Sequence, residues 1–254
     1  MAAFPAILQS EWTKVRSVRS TVWTLALVFL VTLGLGALIS TLANNNFADF
    51  APKNAPFDAT GTAFSGIMLG EIAMVVFGVM AIGNEYSSGM IRVSLAAVPQ
   101  RPTLLGGKFT VIGGLALGVS LLTAFVTFFV GQGLLGSHST GIGDPHVLRA
   151  VFGAAAYLTM ICLFSAGVTA MLHNQTLALG VLVPFFFLLS PILGAVPKVK
   201  NVARYFPDYA GQRMLLVYEQ SGQPYGPLQG FLIFLGWTLA ALAGGVLVLR
   251  KRDA

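Results

Sequence analysis

Long apolar runs alternate with short polar segments along this chain. Six runs are long enough to cross a bilayer as helix, which takes about 20 residues. They cover 22–43, 63–83, 109–132, 146–172, 177–196 and 229–249. No Lys or Arg lies near the middle of any of them, and Glu71 is the one carboxylate within a run. The first run exceeds the apolar core of a secretion signal, usually about 7–15 residues, so it predicts a retained span. In the third run, Gly114 and Gly118 are spaced to allow close helix packing. The fifth holds Pro184 and Pro191 around Phe185, Phe186 and Phe187. Two prolines predict a kinked or broken helix, since each removes a donor and crowds the preceding turn.

The polar segments are patterned too. In residues 5–20, Leu8, Trp12 and Val15 recur at helical spacing, flanked by Ile7 and Val18. Gln9, Thr13, Arg16, Ser17 and Ser20 fall on the other side. This predicts a basic amphipathic helix lying flat on a membrane surface, with Arg19 reaching round to the headgroups. Residues 44–62 and 133–145 read as loops, and His173–Thr176 as a tight turn with His173 as a cap or surface residue. Segment 197–228 is the longest polar stretch. It carries Lys198, Lys200, Arg204, Arg213, Asp208 and Glu219 beside Tyr205, Phe206, Tyr209 and Leu215. Aromatic and aliphatic residues among the charges predict short helices packed on the membrane surface.

Composition agrees with this pattern. Of 254 residues, 56% are hydrophobic and 9% charged, against about 45–50% and 25% in soluble domains. The predicted fold class is all-α, a polytopic membrane protein with an interfacial N-terminal helix and six transmembrane helices. The net charge of +6 is no nucleic-acid footprint, because the basic residues cluster beside the apolar runs, where they set topology and meet anionic lipid. With the N-terminus inside, nine Lys and Arg fall on inner segments and six on outer ones. The bias predicts a plasma-membrane protein with both termini cytoplasmic. Asn45 and Gln220 are then expected outside, and Ser88 and Arg252 inside. Cys162, the one cysteine, sits in an apolar run and reads as a small buried hydrophobe.

The most polar stretch of the first half is Asn84–Lys108. It predicts a cytoplasmic loop holding a short helix. Asn84, Ser87 or Ser88 would cap it, Glu85 would lie at its positive end, and Pro99 would stop it near Val98. Glu85-Tyr86-Ser87-Ser88-Gly89, then Ile91-Arg92, Pro99-Gln100-Arg101 and Gly107-Lys108, resemble the loop between the second and third helices of type-2 ABC exporter permeases. The usual pattern has Thr where Met90 stands. The elbow-like N-terminal helix and the enlarged loop before the last span extend the resemblance over nearly the full length. It implies that 84–108 carries a coupling helix docking on a separate ABC ATPase through Glu85, Tyr86, Gly89, Ile91, Arg92 and Arg101. It further implies that two permease chains pair, as a homodimer, and that ATP-driven closure is passed through that helix to the spans.

No nucleotide site, metal site or cofactor is expected in the chain itself, and no enzymatic activity. Leu105–Phe109 is the nearest approach to a phosphate loop, but Pro102 replaces its first Gly and Phe109 its Ser or Thr. His138, Asp144 and His146 lie close in sequence without recognised ligand spacing. No Ser-His-Asp set, paired carboxylates or HExxH motif occurs. Glu71 lies about 12 Å below the outer end of its span at 1.5 Å per residue. A carboxylate there should face protein or water and meet hydroxyl or amide groups, line a wet cavity, or stay protonated. It aligns at helical spacing with Met68, Met74 and Gly78. Either this stripe lines the export path, opposite Pro184 and Phe186, or Glu71 is a packing residue that fixes helix register. Two other functional readings stand beside the exporter: a six-span carrier or channel without an ATPase, and a membrane accessory or immunity protein.

Overall fold

The computed structural model describes residues 4–17, 19–52, 56–98, 100–218 and 224–251. Val18, Lys53, Pro99, Glu219, Gln220 and Arg252 lie outside the described residues. Among those described the chain is helical, without strands. An N-terminal helix, α1 (Phe4–Ser17), precedes the first span, α2 (Arg19–Asn45). The short helices α3 (Phe47–Phe50) and α4 (Ala59–Ala63) follow. A 3-10 turn joins α4 to α5 (Ile67–Ser87). Then come α6 (Met90–Ala97), α7 (Arg101–Leu135) and α8 (Val147–Leu172). The fifth span combines α9 (Gln175–Pro184) and α10 (Ser190–Ala195). Two short helices, α11 (Lys200–Ala203) and α12 (Pro207–Gln212), lead to the last span, α13 (Pro227–Lys251). Among the described residues, six helical stretches are long and apolar enough to cross a membrane.

Helix α8 is the hub, packing on α5, α7 and α13. Its Tyr157, Leu158, Ile161 and Cys162 are fully buried. Small residues let these helices approach. A Cβ on Gly78 would lie 2.3 Å from the Cys162 carbonyl oxygen, and one on Gly167 2.6 Å from the Ala241 carbonyl carbon. Both are backbone contacts that leave no space for a side chain. Gly114 and Gly118, by contrast, meet nothing within 4 Å, so their spacing serves no contact among the described residues. Helix α2 and the fifth span sit at the periphery, mostly exposed. Trp23 is 73% exposed and Leu30 60%, as suits helices that meet lipid or another chain on one side.

Several helices outrun the apolar runs, because polar residues do not by themselves end a helix. Capping groups mark some of the ends. The Asp58 carboxylate accepts from Gly61 N at 2.8 Å at the start of α4, and Asn174 Oδ1 from Leu177 N at 2.9 Å at the start of α9. His173 ends α8 with a left-handed φ of 54° and sets its ring edge-on to Tyr86, with centroids 4.6 Å apart. The fifth span resolves its two prolines through a π-helical turn over Phe185–Leu189, a common way to absorb a break in the hydrogen-bond ladder.

Away from α1 and α6, the polar segments are pinned to the spans. Trp237 Nε1 donates to Tyr205 O at 2.9 Å, and Arg149 Nη2 to Leu216 O at 2.8 Å. Within the segment before the last span, Tyr225 OH donates to Arg204 O. Gln132 bridges in both directions, donating to Ala59 O at 3.1 Å and accepting from Thr140 N at 2.8 Å.

Candidate functional site: a short surface helix fastened by a buried ion cluster

Helix α6 begins differently from the sequence expectation. Its N-cap is Gly89, with no side-chain cap bond and a left-handed φ of 70° that favours glycine. Asn84, Ser87 and Ser88 instead finish α5, where the hydroxyls of Ser87 and Ser88 donate to Asn84 O at 3.1 and 2.6 Å. Residues 84–87 therefore belong to the second span and 101–108 to the third, leaving a compact connection around α6. Ile91 and Ser94 face inward. Arg92 is exposed, together with Met90 (46%) and Val93 (69%), so the outer side of α6 is apolar with a basic edge.

Beneath α6 lies a buried cluster of two carboxylates and two ammonium groups. Lys14 Nζ donates to Glu11 Oε1 at 2.7 Å, to Glu85 Oε1 at 3.1 Å and to Ser94 Oγ at 3.0 Å. Lys108 Nζ donates to Glu11 Oε2 at 2.5 Å and to Glu85 Oε1 at 2.6 Å. Four helices thus meet at one point: α1 through Glu11 and Lys14, α5 through Glu85, α6 through Ser94 and α7 through Lys108. The formal charges cancel, which is what makes burial of Glu11, Glu85 and Lys108 beside the half-buried Lys14 tolerable. Partial burial disfavours the charged Lys14 ammonium, but its bond to Glu11 and the field of Glu85 outweigh this, leaving its pKa above the ordinary lysine value.

This geometry corrects the reading of Glu85. It does not start the coupling helix; it lies on the last turn of α5, turned into the protein. The other expected coupling residues divide among tasks. Arg101 Nη1 donates to Leu249 O at 2.7 Å, tying the start of α7 to the end of α13. Tyr86 packs against His173. Gly89 makes the turn, Ile91 anchors α6 and Arg92 stands at the surface. The sequence reading missed Glu11, Lys14, Ser94, Met90 and Val93 as a working set. A signal was available: Ile7, Glu11 and Lys14 fall at i, i+4 and i+7, one face of α1. That face turns to the protein, with Ile7 and Glu11 buried, while Trp12 stays 47% exposed. The Gly107-Lys108 pair is no phosphate loop. A Cβ on Gly107 would lie 2.6 Å from the Ile7 side chain, so this glycine admits α1 against α7.

The proposed path residues do not share one surface. Met68 is 51% exposed, Met74 is fully buried, and Gly78 packs on α8. Pro184 is exposed, whereas Phe186 is buried edge-on against Phe164. Glu71 is buried, with the hydroxyl of Tyr157 near it. The approach falls short of a well-formed hydrogen bond, since Glu71 Oε1 and Tyr157 OH each lack a partner. His138, Asp144 and His146 hold separate posts. His138 stacks on Phe47 with centroids 3.5 Å apart, Asp144 accepts from Thr140 Oγ1 and Gly141 N at 2.6 and 2.7 Å, and His146 precedes α8 with φ 68°.

The sequence matches the family described as ABC-2 family transporter protein over residues 7–196. The chain belongs to that family, and with its six apolar helices it is a multi-pass membrane protein and a permease component. A comparison with curated proteins gives no match.

Proposed function

We propose that this chain is the membrane-spanning permease subunit of an ATP-driven exporter. It works as one of a pair, most simply a homodimer, with ATP bound and hydrolysed by a separate ABC ATPase. The observation that carries this reading is the union of an exposed, largely apolar α6 surface with the ion cluster beneath it. Met90, Arg92 and Val93 offer the ATPase a contact surface. Ser94, Lys14, Glu85 and Lys108 join that surface to α1, α5 and α7, so a push on α6 moves three helices together. Beside the cluster, a half-open cavity of about 360 Å³, lined by Val15, Met80, Ala81 and Met90 among others, leaves room for such a movement. The Lys and Arg bias supports a cytoplasmic side for α6, α1 and the end of α13, where an ATPase would dock.

Reconstitution of the chain with an ATPase encoded beside it tests the reading. The expected outcome is a stable complex whose ATP hydrolysis depends on the permease. A chain that carries solute down an ion gradient with no ATPase bound points to the carrier reading instead. A chain that neither binds an ATPase nor moves solute points to the accessory reading.

A further inference from the structure

Four elements bring polar side chains together away from the ion cluster. Gly78 of α5 packs against Cys162 and Ser165 of α8, and two turns back along α5 Glu71 reaches the level of Tyr157. The Tyr157 ring lies against Gly211 of α12, where a Cβ would meet it at 2.4 Å. Asp208 stands one turn before Gly211. Ser190 of α10 donates to Asp208 Oδ2 at 2.5 Å.

These groups are buried and incompletely satisfied. Glu71 is 4% exposed, Asp208 3% and Tyr157 fully buried. Glu71 Oε1, Tyr157 OH and Asp208 Oδ1 each lack a hydrogen-bond partner. Glu71 and Gln212 are the side chains nearest the Tyr157 hydroxyl, and buried oxygens without a well-formed hydrogen bond are an arrangement proteins avoid. The described ion pairs are those of the Lys14 and Lys108 cluster, so neither Glu71 nor Asp208 has a cationic partner among the described residues. Tyr209 and Tyr225 are the other titratable groups that feel Asp208. Arg204 and Arg213 act on Tyr225.

We propose that Glu71 and Asp208, on either side of Tyr157, form a coupled pair that holds one proton for its two carboxyl groups, with Tyr157 and Ser190 as their hydroxyl neighbours. Two ionised carboxylates in a buried site repel, and one proton taken from water converts a carboxylate to a hydrogen-bond donor and removes the repulsion. A divalent metal suits the site poorly, because calcium takes about six to eight oxygen ligands and no group of three metal-type side chains occurs among the described residues. Burial also holds the Asp208 carboxyl above its ordinary range, against the opposing bonds from Ser190 and the backbone. Losing the proton sets like charges on α5 and α12, so protonation decides how tightly the segment before the last span sits on the bundle.

Infrared titration of the chain in lipid nanodiscs reads the proton directly. At neutral pH the wild type should show a protonated-carboxyl band that disappears in one alkaline step. In Glu71→Gln the neutral-pH band should be lost. In Asp208→Asn the release midpoint should move down by about one unit or more, because a nearby negative charge has gone. Should Glu71→Gln fail to fold, Asp208→Asn and Tyr157→Phe carry the test, the latter moving the midpoint by removing the hydroxyl neighbour. Absence of a protonated-carboxyl band in the wild type overturns the proposal, as does a titration that Asp208→Asn leaves unchanged.

Discussion

Lys108 Nζ donates to Glu85 Oε1 at 2.6 Å, joining the first turns of α7 to the last turn of α5. Both side chains are at most one-tenth exposed, and the same ammonium reaches Glu11 of α1. The bond therefore stands where the N-terminal helix, the short surface helix and two spans converge. Its weight comes less from attraction than from what its loss would leave behind. Removal of one partner from a buried pair strands a charge at a cost of about 3–5 kcal/mol.

Lys108→Met should accordingly lower the stability of the purified chain by about 3–5 kcal/mol, measured by denaturant unfolding in detergent. Combining it with Glu85→Gln should cost less than the sum of the single changes, because the pair is coupled. Strict additivity in that cycle would show that the two side chains do not act on each other.

Lys14 gives the cluster a pH dependence with a definite sign. Its folded pKa lies above the ordinary lysine value of 10.5, so the folded state holds the proton more tightly than the unfolded one. The stability it contributes is then complete below the ordinary value and is lost as pH rises through the folded one. Protease sensitivity of the α1–α2 junction should therefore stay low through neutral and mildly alkaline pH and rise only beyond about 10.5. Lys14→Met should raise it already at neutral pH. Equal sensitivity of mutant and wild type at neutral pH would remove Lys14 from the fastening of α1.

At the hub, Gly78→Ala places a Cβ 2.3 Å from a backbone oxygen of α8. Backbone cannot swing aside as a flexible side chain can, so α5 and α8 must separate, at about 1–3 kcal/mol. Gly114→Ala, which meets nothing within 4 Å, should leave the thermal stability of the isolated chain unchanged. Similar effects of the two substitutions would contradict the packing described for α8.

Topology is open to a simple check. Ser88 and Asn45 are both exposed, at opposite ends of the bundle. In a Cys162→Ala background, a cysteine at 45 should react with an impermeant reagent in intact cells and one at 88 only after the membrane is opened. Labelling of residue 88 from outside would invert the orientation.

The architecture was legible because apolar length is a direct consequence of bilayer thickness. Six runs gave six spans, and the prolines of the fifth announced its break. The site was legible only in outline. Segment 84–108 stands out by polarity and predicts a short helix, but the local pattern assigns Glu85 to that helix, whereas it lies on the last turn of α5. Its partners are the reason. Lys14 lies 71 positions before it and Lys108 23 after, and no local pattern signals a buried pair across that separation. Charge alone suggests a solvated loop carboxylate or a cap, whereas the bundle supplies a buried ammonium from Lys108 and a half-buried one from Lys14. Asp208 was hidden likewise. It read as one polar residue in a long surface segment until α12 packed against Tyr157.

The central claim is that α6 receives the ATPase and passes its motion inward. Val93 is the sharpest probe, being 69% exposed and outside the ion cluster, so Val93→Asp should leave folding intact while spoiling an apolar contact. The decisive measurement is ATP hydrolysis by the partner ATPase reconstituted with wild-type or Val93→Asp permease in the same lipid. The account predicts that the substitution lowers permease-dependent hydrolysis at least tenfold, about 1.4 kcal/mol of lost interaction, with unchanged thermal stability of the permease alone. Full hydrolysis and full complex formation with Val93→Asp would contradict it.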